Sequence, residues 1–250
     1  MPVSRPFFTF WRTRATFISG LHPVENVHEA NVLTWAAFDA LAGLWARSAH
    51  PEMHGVSDRR RIGEFLGRHG GEPFQRVSLP AVWARADGLG ATVLAELRKR
   101  LRTVGGRRTP PVLEERQARM IAEDPLVGNL LADLVDVADM VVAKPATVRD
   151  IVLGARFGEI AYTEMRCAIL HEGRLGAGAH GFDFGPESDA GPTYLSSMFS
   201  APPTIGFSQR YMIGVLAACI DGFEEEIAVS GINPVPPPPR CIALDLPDDA

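Results

Sequence analysis

Ile160-Ala161-Tyr162-Thr163-Glu164-Met165-Arg166-Cys167-Ala168-Ile169-Leu170-His171-Glu172-Gly173-Arg174 is the stretch on which the reading of this chain turns. It reads as the last turns of a long helix stopped by glycine, the residue that most readily takes the left-handed conformation past a helix end. It holds an arginine and, after four intervening residues, a histidine. A helix turns about 100° and rises about 1.5 Å per residue. Arg166 and His171 are therefore expected roughly 140° apart around the axis and roughly 7.5 Å along it. They occupy neighbouring faces, and a single helix need not bring their tips together. Cys167 and Glu164 share the His171 stripe, and Tyr162 and Glu159 share that of Arg166.

Two other Arg/His pairs have similar spacing, and local chemistry separates them from this one. Six residues part Arg47 from His54, but Pro51 breaks any shared helix. Five residues part Arg174 from His180, but they form a glycine-rich loop. Arg166 and His171 share a segment free of Pro and Gly. One reading of the pair is structural: a histidine favoured by the helix dipole at a C-terminus, beside a surface ion-paired arginine. The other is a site, in which a guanidinium holds an oxyanion and an imidazole moves a proton.

The phrase Tyr-x3-Arg-Cys-x2-Leu-His-Glu-Gly resembles the R-x4-6-H signature of the HEPN superfamily. The segment Arg76-Val77-Ser78-Leu79-Pro80 is also similar to bacterial HEPN-like proteins. The resemblance implies a helical bundle with metal-independent endoribonuclease activity and no cofactor. It implies two chains paired so that both motifs line one cleft, with RNA as substrate. It also implies a defence or toxin-antitoxin setting, with an antitoxin among the partners. Carried onto this sequence, Arg166 and His171 are catalytic, and Tyr162, Glu164, Cys167 and Arg174 support them. Cys167 departs from the pattern, since active members often place Asn, Asp or His directly after the arginine. A non-catalytic HEPN-like dimerisation or nucleotide-binding module, or a plain helical interaction protein, stands as the alternative.

Around this stretch the chain reads as mainly α, with a small β-hairpin or sheet inserted between the last two helices. At 250 residues and 46% apolar content it has ample material for a core. The net charge of −5 argues against a broadly basic surface but not against a local basic cleft. Cys167, Cys219 and Cys241 are too few and too scattered for a disulfide framework or a zinc site, which fits a reducing cytoplasm. Arg5, Arg12 and Arg14 interrupt any leader-like apolar run, and no run approaches the roughly 18 residues of a membrane span.

Residues 1–232 read as one domain and 233–250 as a proline-rich, acidic tail. The aromatic segment Phe7–Trp11 fits helix or strand equally. A strongly apolar helix is expected from about Val24 to Arg47, with Asp39 as a core-edge hydrogen-bonding group. Ser57–Gly70 reads as a short amphipathic helix capped by Ser57 or Asp58. Gly90–Arg102 reads as a helix whose end, with the loop after it, gathers Arg98, Lys99, Arg100, Arg102, Arg107 and Arg108. These could touch phosphate, or simply form a solvated face. Glu114 to about Val142 reads as a helix broken at Asp124-Pro125, with Asp124 capping its second half. Thr147 then caps one continuous helix to Glu172.

Gly176–Gly181 spells G-x-G-x-x-G, but a helix precedes it where the dinucleotide fingerprint needs a strand. His171-Glu172 begins H-E-x-x-H, but position 175 is leucine. The segments Phe182–Phe184, Thr193–Phe199 and Thr204–Phe207 read as short strands forming the insertion at about 176–207, beside the signature helix. Ser208 caps a last helix to about Val229, with Glu224, Glu225 and Glu226 facing solvent.

Overall fold

The 22-residue helix Val27–Ser48 is apolar around most of its circumference, and the helices Ser4–Ser19, Asp58–His69 and Gln209–Ser230 pack against it. The computed structural model describes residues 4–86, 124–133, 145–181, 191–195 and 204–234. In chain order, α1 is Ser4–Ser19, α2 Val27–Ser48, α3 Asp58–His69, α4 Leu79–Ala86, α5 Val127–Asp133 and α6 Pro145–Gly154. The signature helix, α7, has three consecutive parts: α-helical Phe157–Ile160, π-helical Ala161–Cys167 and α-helical Ala168–Glu172. The strands β1 (Thr193–Leu195) and β2 (Thr204–Gly206) follow, then α8, Gln209–Ser230. The mainly helical class with a small antiparallel insertion is thus the observed one.

Trp35, Phe38, Leu41 and Trp45 of α2 are buried against Phe65 and Leu66 of α3 and Leu216, Ile220 and Phe223 of α8. The ambiguous aromatic segment is helical: Phe8 meets Phe223 edge-on at 5.4 Å, and Arg12 pairs with Asp221 and Glu224 of α8. α7 starts hard against α3, since a Cβ on Gly158 would lie 3.2 Å from Gly63 Cα. Small residues at that crossing let the two backbones touch. A second, smaller core joins Val77, Leu79 and Val82 to Leu130, Val148, Val152 and Ala155.

Two helix boundaries differ from the expected ones. The helix expected from Thr147 to Glu172 is two helices. Its chain leaves helical geometry at Ala155-Arg156 to exchange backbone bonds with the 76–78 segment: Ser78 N–H donates to Ala155 O and Phe157 N–H to Arg76 O. Asp124 does not cap α5. Leu126 bridges to Arg76 and α5 starts at Val127. The buried Asp124 carboxylate instead accepts the Leu79 N–H at the start of α4 and, at 2.5 Å, the Tyr194 hydroxyl. The Ser57 side chain makes no cap bond, whereas Ser208 accepts the Tyr211 N–H as expected.

In the hairpin, Thr193 faces Gly206, Tyr194 faces Ile205 and Leu195 faces Thr204. It sits beside the start of α7, where Phe157 meets the Tyr194 and Phe207 rings edge-on. The expected strand at 182–184, the outer part of 193–199, the helix at 90–102 and most of the tail lie outside the described residues. Among the described residues no helix is long and apolar enough to cross a membrane.

Candidate functional site

Arg166 is the penultimate residue of the π-helical segment and His171 lies in the α-helical turn that follows it. Bonding from i to i+5 widens a turn by one residue relative to the α-helix. That change of pitch, with the reach of the arginine stem, brings together tips that an ideal helix would leave on neighbouring faces. Arg166 Nη1 lies 3.4 Å from His171 Nε2, within one chain. Gly173, at φ 66°, ends the helix two residues later and leaves His171 exposed at its edge. Single-turn π segments inside α-helices are frequent at functional sites.

The group that orients Arg166 is Asp39, on α2. Both Nε and Nη2 of Arg166 donate to Asp39 Oδ2, at 2.8 and 2.5 Å. Asp39 therefore has the hydrogen-bonding role expected of it, with a partner that the sequence did not name. Burial opposes the Arg166 charge, but the bonds and charge of Asp39 outweigh it and hold the guanidinium above its ordinary pKa. The Tyr162 ring lies under the guanidinium, 5.3 Å from Cζ to centroid. Burial first, then the neighbouring Cys167, pushes the Tyr162 hydroxyl up to about 12, against the pull of Arg166. Tyr162 and Cys167 thus form the floor of the Arg166 site.

Glu164 and Arg174, the other two supporting candidates, lie elsewhere. Glu164 turns to the loop after α7, where its carboxylate accepts the Gly178 N–H and its carbonyl the Gly176 N–H. Its expected place on the His171 stripe is lost because the loop offers it two backbone donors. Arg174 is 77% exposed and pairs with Glu172. The basic run Arg98–Arg108 lies outside the described residues. The structure therefore brings together Arg166, His171, Tyr162 and Cys167 and adds Asp39.

The pair has a defined chemical sense. A guanidinium only donates. For Nη1–H to face His171 Nε2 productively, Nε2 must carry the lone pair, with the ring proton on Nδ1. A phosphate oxygen that displaced the imidazole from this 3.4 Å contact would accept from Arg166 and leave the imidazole lone pair free for a neighbouring hydroxyl. Against models of known protein families, curated proteins and solved structures, the chain has no match.

Proposed function

We propose that this chain is a metal-independent endoribonuclease in which Arg166 binds the scissile phosphate and His171 transfers protons. The observation that carries the reading is the exposed 3.4 Å approach of Arg166 Nη1 to His171 Nε2, with the far side of the guanidinium fixed by Asp39. RNA supplies its own nucleophile, the 2′-hydroxyl. The His171 lone pair takes its proton, and Arg166 stabilises the charge that grows on the phosphorane oxygens. The leaving 5′-oxygen needs a proton donor. A second His171 from another copy of the chain supplies it, so the proposed unit is a homodimer. The approach of Arg166 and His171 within one chain removes geometric necessity as the reason for pairing and leaves the need for both an acid and a base. The resemblance to HEPN proteins supports the same arrangement, in a defence or toxin-antitoxin setting.

The test is incubation of purified protein with mixed RNAs in EDTA. Cleavage should persist and leave 2′,3′-cyclic phosphate ends, and DNA should survive because it lacks the attacking hydroxyl. Arg166→Lys should fail badly, since an ammonium cannot reproduce the planar fork. Light scattering should give a dimer at about 10–50 μM, a range in which a specific micromolar interface persists.

One observation favours a non-catalytic HEPN-like module instead: Asp39 already neutralises Arg166. Wild-type protein inert toward every RNA tested would support that module and overturn the ribonuclease.

A further inference from the structure

α2 buries one face and leaves the opposite one bare. Trp35, Phe38, Leu41 and Trp45 are buried in the core. On the far side the chain places Glu29, Leu33, Ala36, Ala40, Gly43 and Arg47, at alternating steps of four and three residues. Such steps average about 3.5 residues, close to one helical turn, so the six share one stripe. Glu29, Leu33, Ala36 and Arg47 are exposed, Leu33 by 39%, and Ala40 and Gly43 are half-buried. A solvated helix face ordinarily carries charged and polar groups along its length. Here the charges stand only at the two ends, and everything between them is apolar.

The stripe is its own complement. Its positions are symmetric about the level of Phe38: Ala36 and Ala40 stand two residues to either side, Leu33 and Gly43 five, and Glu29 and Arg47 nine. A second α2 laid antiparallel on this face therefore sets Ala36 against Ala40, Leu33 against Gly43 and Glu29 against Arg47. Each contact occurs twice, as a two-fold interface requires. Every layer is matched. Leu33, the one large apolar side chain of the stripe, meets Gly43, where nothing lies within 4 Å of an added Cβ. The alanines let the two backbones come close. Among the described residues neither Glu29 nor Arg47 has a side-chain hydrogen bond or ion pair in its own chain, and each would gain a partner of opposite charge. A parallel pair would instead set Glu29 against Glu29 and Arg47 against Arg47.

We propose that this face of α2 is the interface between two copies of the chain, packed antiparallel about the level of Phe38. The same two-fold bears on the site. It runs perpendicular to both helices, so a given flank of α2 lies on the same side of the pair in both copies. Asp39, one residue from the centre, holds Arg166 on one such flank. Both Arg166–His171 pairs therefore open on one side of the dimer, beside its axis. That consequence for the chemistry rests on the ribonuclease reading; the match of the layers does not.

The test is a charge exchange read by light scattering on the full chain at about 10–50 μM, where a specific micromolar interface persists. Wild-type protein should be a dimer. Glu29→Arg and Arg47→Glu each set like charges against each other at both ends of the seam. Each variant alone should be a monomer with an unchanged far-UV circular dichroism spectrum. Mixed one to one, the two variants should form a dimer again, because arginine then meets glutamate at both ends. Loss of a favourable charge at a helix end, which both variants share, cannot produce that recovery. A monomeric wild type, a dimer in either variant alone, or a mixture that stays monomeric overturns the proposal. Cleavage of RNA in EDTA is measured on the same samples. A dimer lost in each variant and recovered in the mixture, with no cleavage by any of them, leaves the interface standing and removes the ribonuclease. Cleavage by wild-type protein, with both variants still dimeric, removes the interface and leaves the ribonuclease.

Discussion

Asp39 grips Arg166 through one oxygen, and this decides what the arginine can do. With Nε and Nη2 both on Oδ2, only the Nη1 edge is left to face His171 and an incoming phosphate. Asp39→Ala should cost about 1–3 kcal/mol of stability, the range for losing a charge-assisted hydrogen-bonded pair. It should also lower cleavage without abolishing it, as read by thermal melts beside single-turnover rates. His171→Ala should abolish cleavage and leave the melting temperature unchanged, because the exposed ring holds nothing else in place. A marked loss of stability in that variant would instead support a structural helix-end histidine. Cys167→Ser should be mild, since the thiol belongs to the floor beneath Arg166. Tyr162, pushed up to about 12, stays protonated through the neutral and mildly alkaline range. Arg166 and His171 were legible from spacing and from the absence of Pro and Gly between them. Asp39 was legible as a core-edge polar group but not as their partner. The pairing spans 127 positions of sequence and depends on how α2 crosses α7.

At the scale of elements, periodicity located α2, α3 and α8 to within a few residues, because each has one long apolar stripe packed on the core. It failed where backbone bonding between distant segments decides the structure. No pattern in 147–172 announces that the chain breaks at Ala155 to pair with Arg76–Ser78, and a seven-residue π segment is too short to show an apolar period of its own. The G-x-G letters of Gly176–Gly178 follow the end of α7, and the close approach of the loop to Glu164 accounts for the glycines. A Cβ on Gly176 would lie 2.2 Å from Glu164 Oε2 and 3.0 Å from Glu164 Cα, so the loop can close on α7 only without side chains. Gly176→Ala should therefore destabilise by about 1–3 kcal/mol, as overpacking does. Gly43→Ala, inside α2 with nothing within 4 Å of the added atom, should stabilise by about 0.5–1 kcal/mol. Urea melts of the pair decide between a closed loop and a loose one: equal midpoints would mean that Glu164 does not hold the loop.

At the scale of the whole molecule, one carboxylate ties three helices together, and it makes stability depend on pH. The sequence placed Glu226 in solvent because it sits in a run of three glutamates. In the fold its side chain is 16% exposed and accepts Trp45 Nε1–H at 2.9 Å from α2 and Arg68 Nη2 at 2.6 Å from α3. It also meets His50 Nε2 at 3.0 Å, just past α2, and His69 Nε2 at 3.1 Å on α3. Burial works to raise the Glu226 pKa, but the His50 and Trp45 bonds and the charges of Arg68 and His69 win, and it lies below the ordinary value. Its contribution is fully present above the unfolded pKa of about 4.3 and is lost as pH falls through the lower folded value. His69 is held below its ordinary pKa chiefly by burial. As pH drops below about 6.5 the unfolded chain takes up a proton that the folded ring refuses, so folding weakens there too. Glu159 acts in the opposite sense: burial raises its folded pKa, so it favours the folded chain at low pH and loses that contribution as pH rises through the folded value. Glu226 titrates below pH 5. Between pH 7.5 and pH 5 the buried His69 and His180, both held below their ordinary pKa chiefly by burial, oppose Glu159. The melting temperature should therefore be level from pH 7.5 to about 6.5 and fall from there to pH 5. Glu226→Gln should cost about 3 kcal/mol at pH 7.5, as removing one partner from a desolvated charge network does. The same variant should have a flatter pH profile below pH 5, because the group that titrates there is gone. His69→Gln should make the slope between pH 5 and pH 6.5 shallower, leaving the part that His180 contributes. A wild-type melting temperature level across this range, or a Glu226→Gln variant as stable as wild type, would mean that the joint among α2, α3 and α8 does not hold as described.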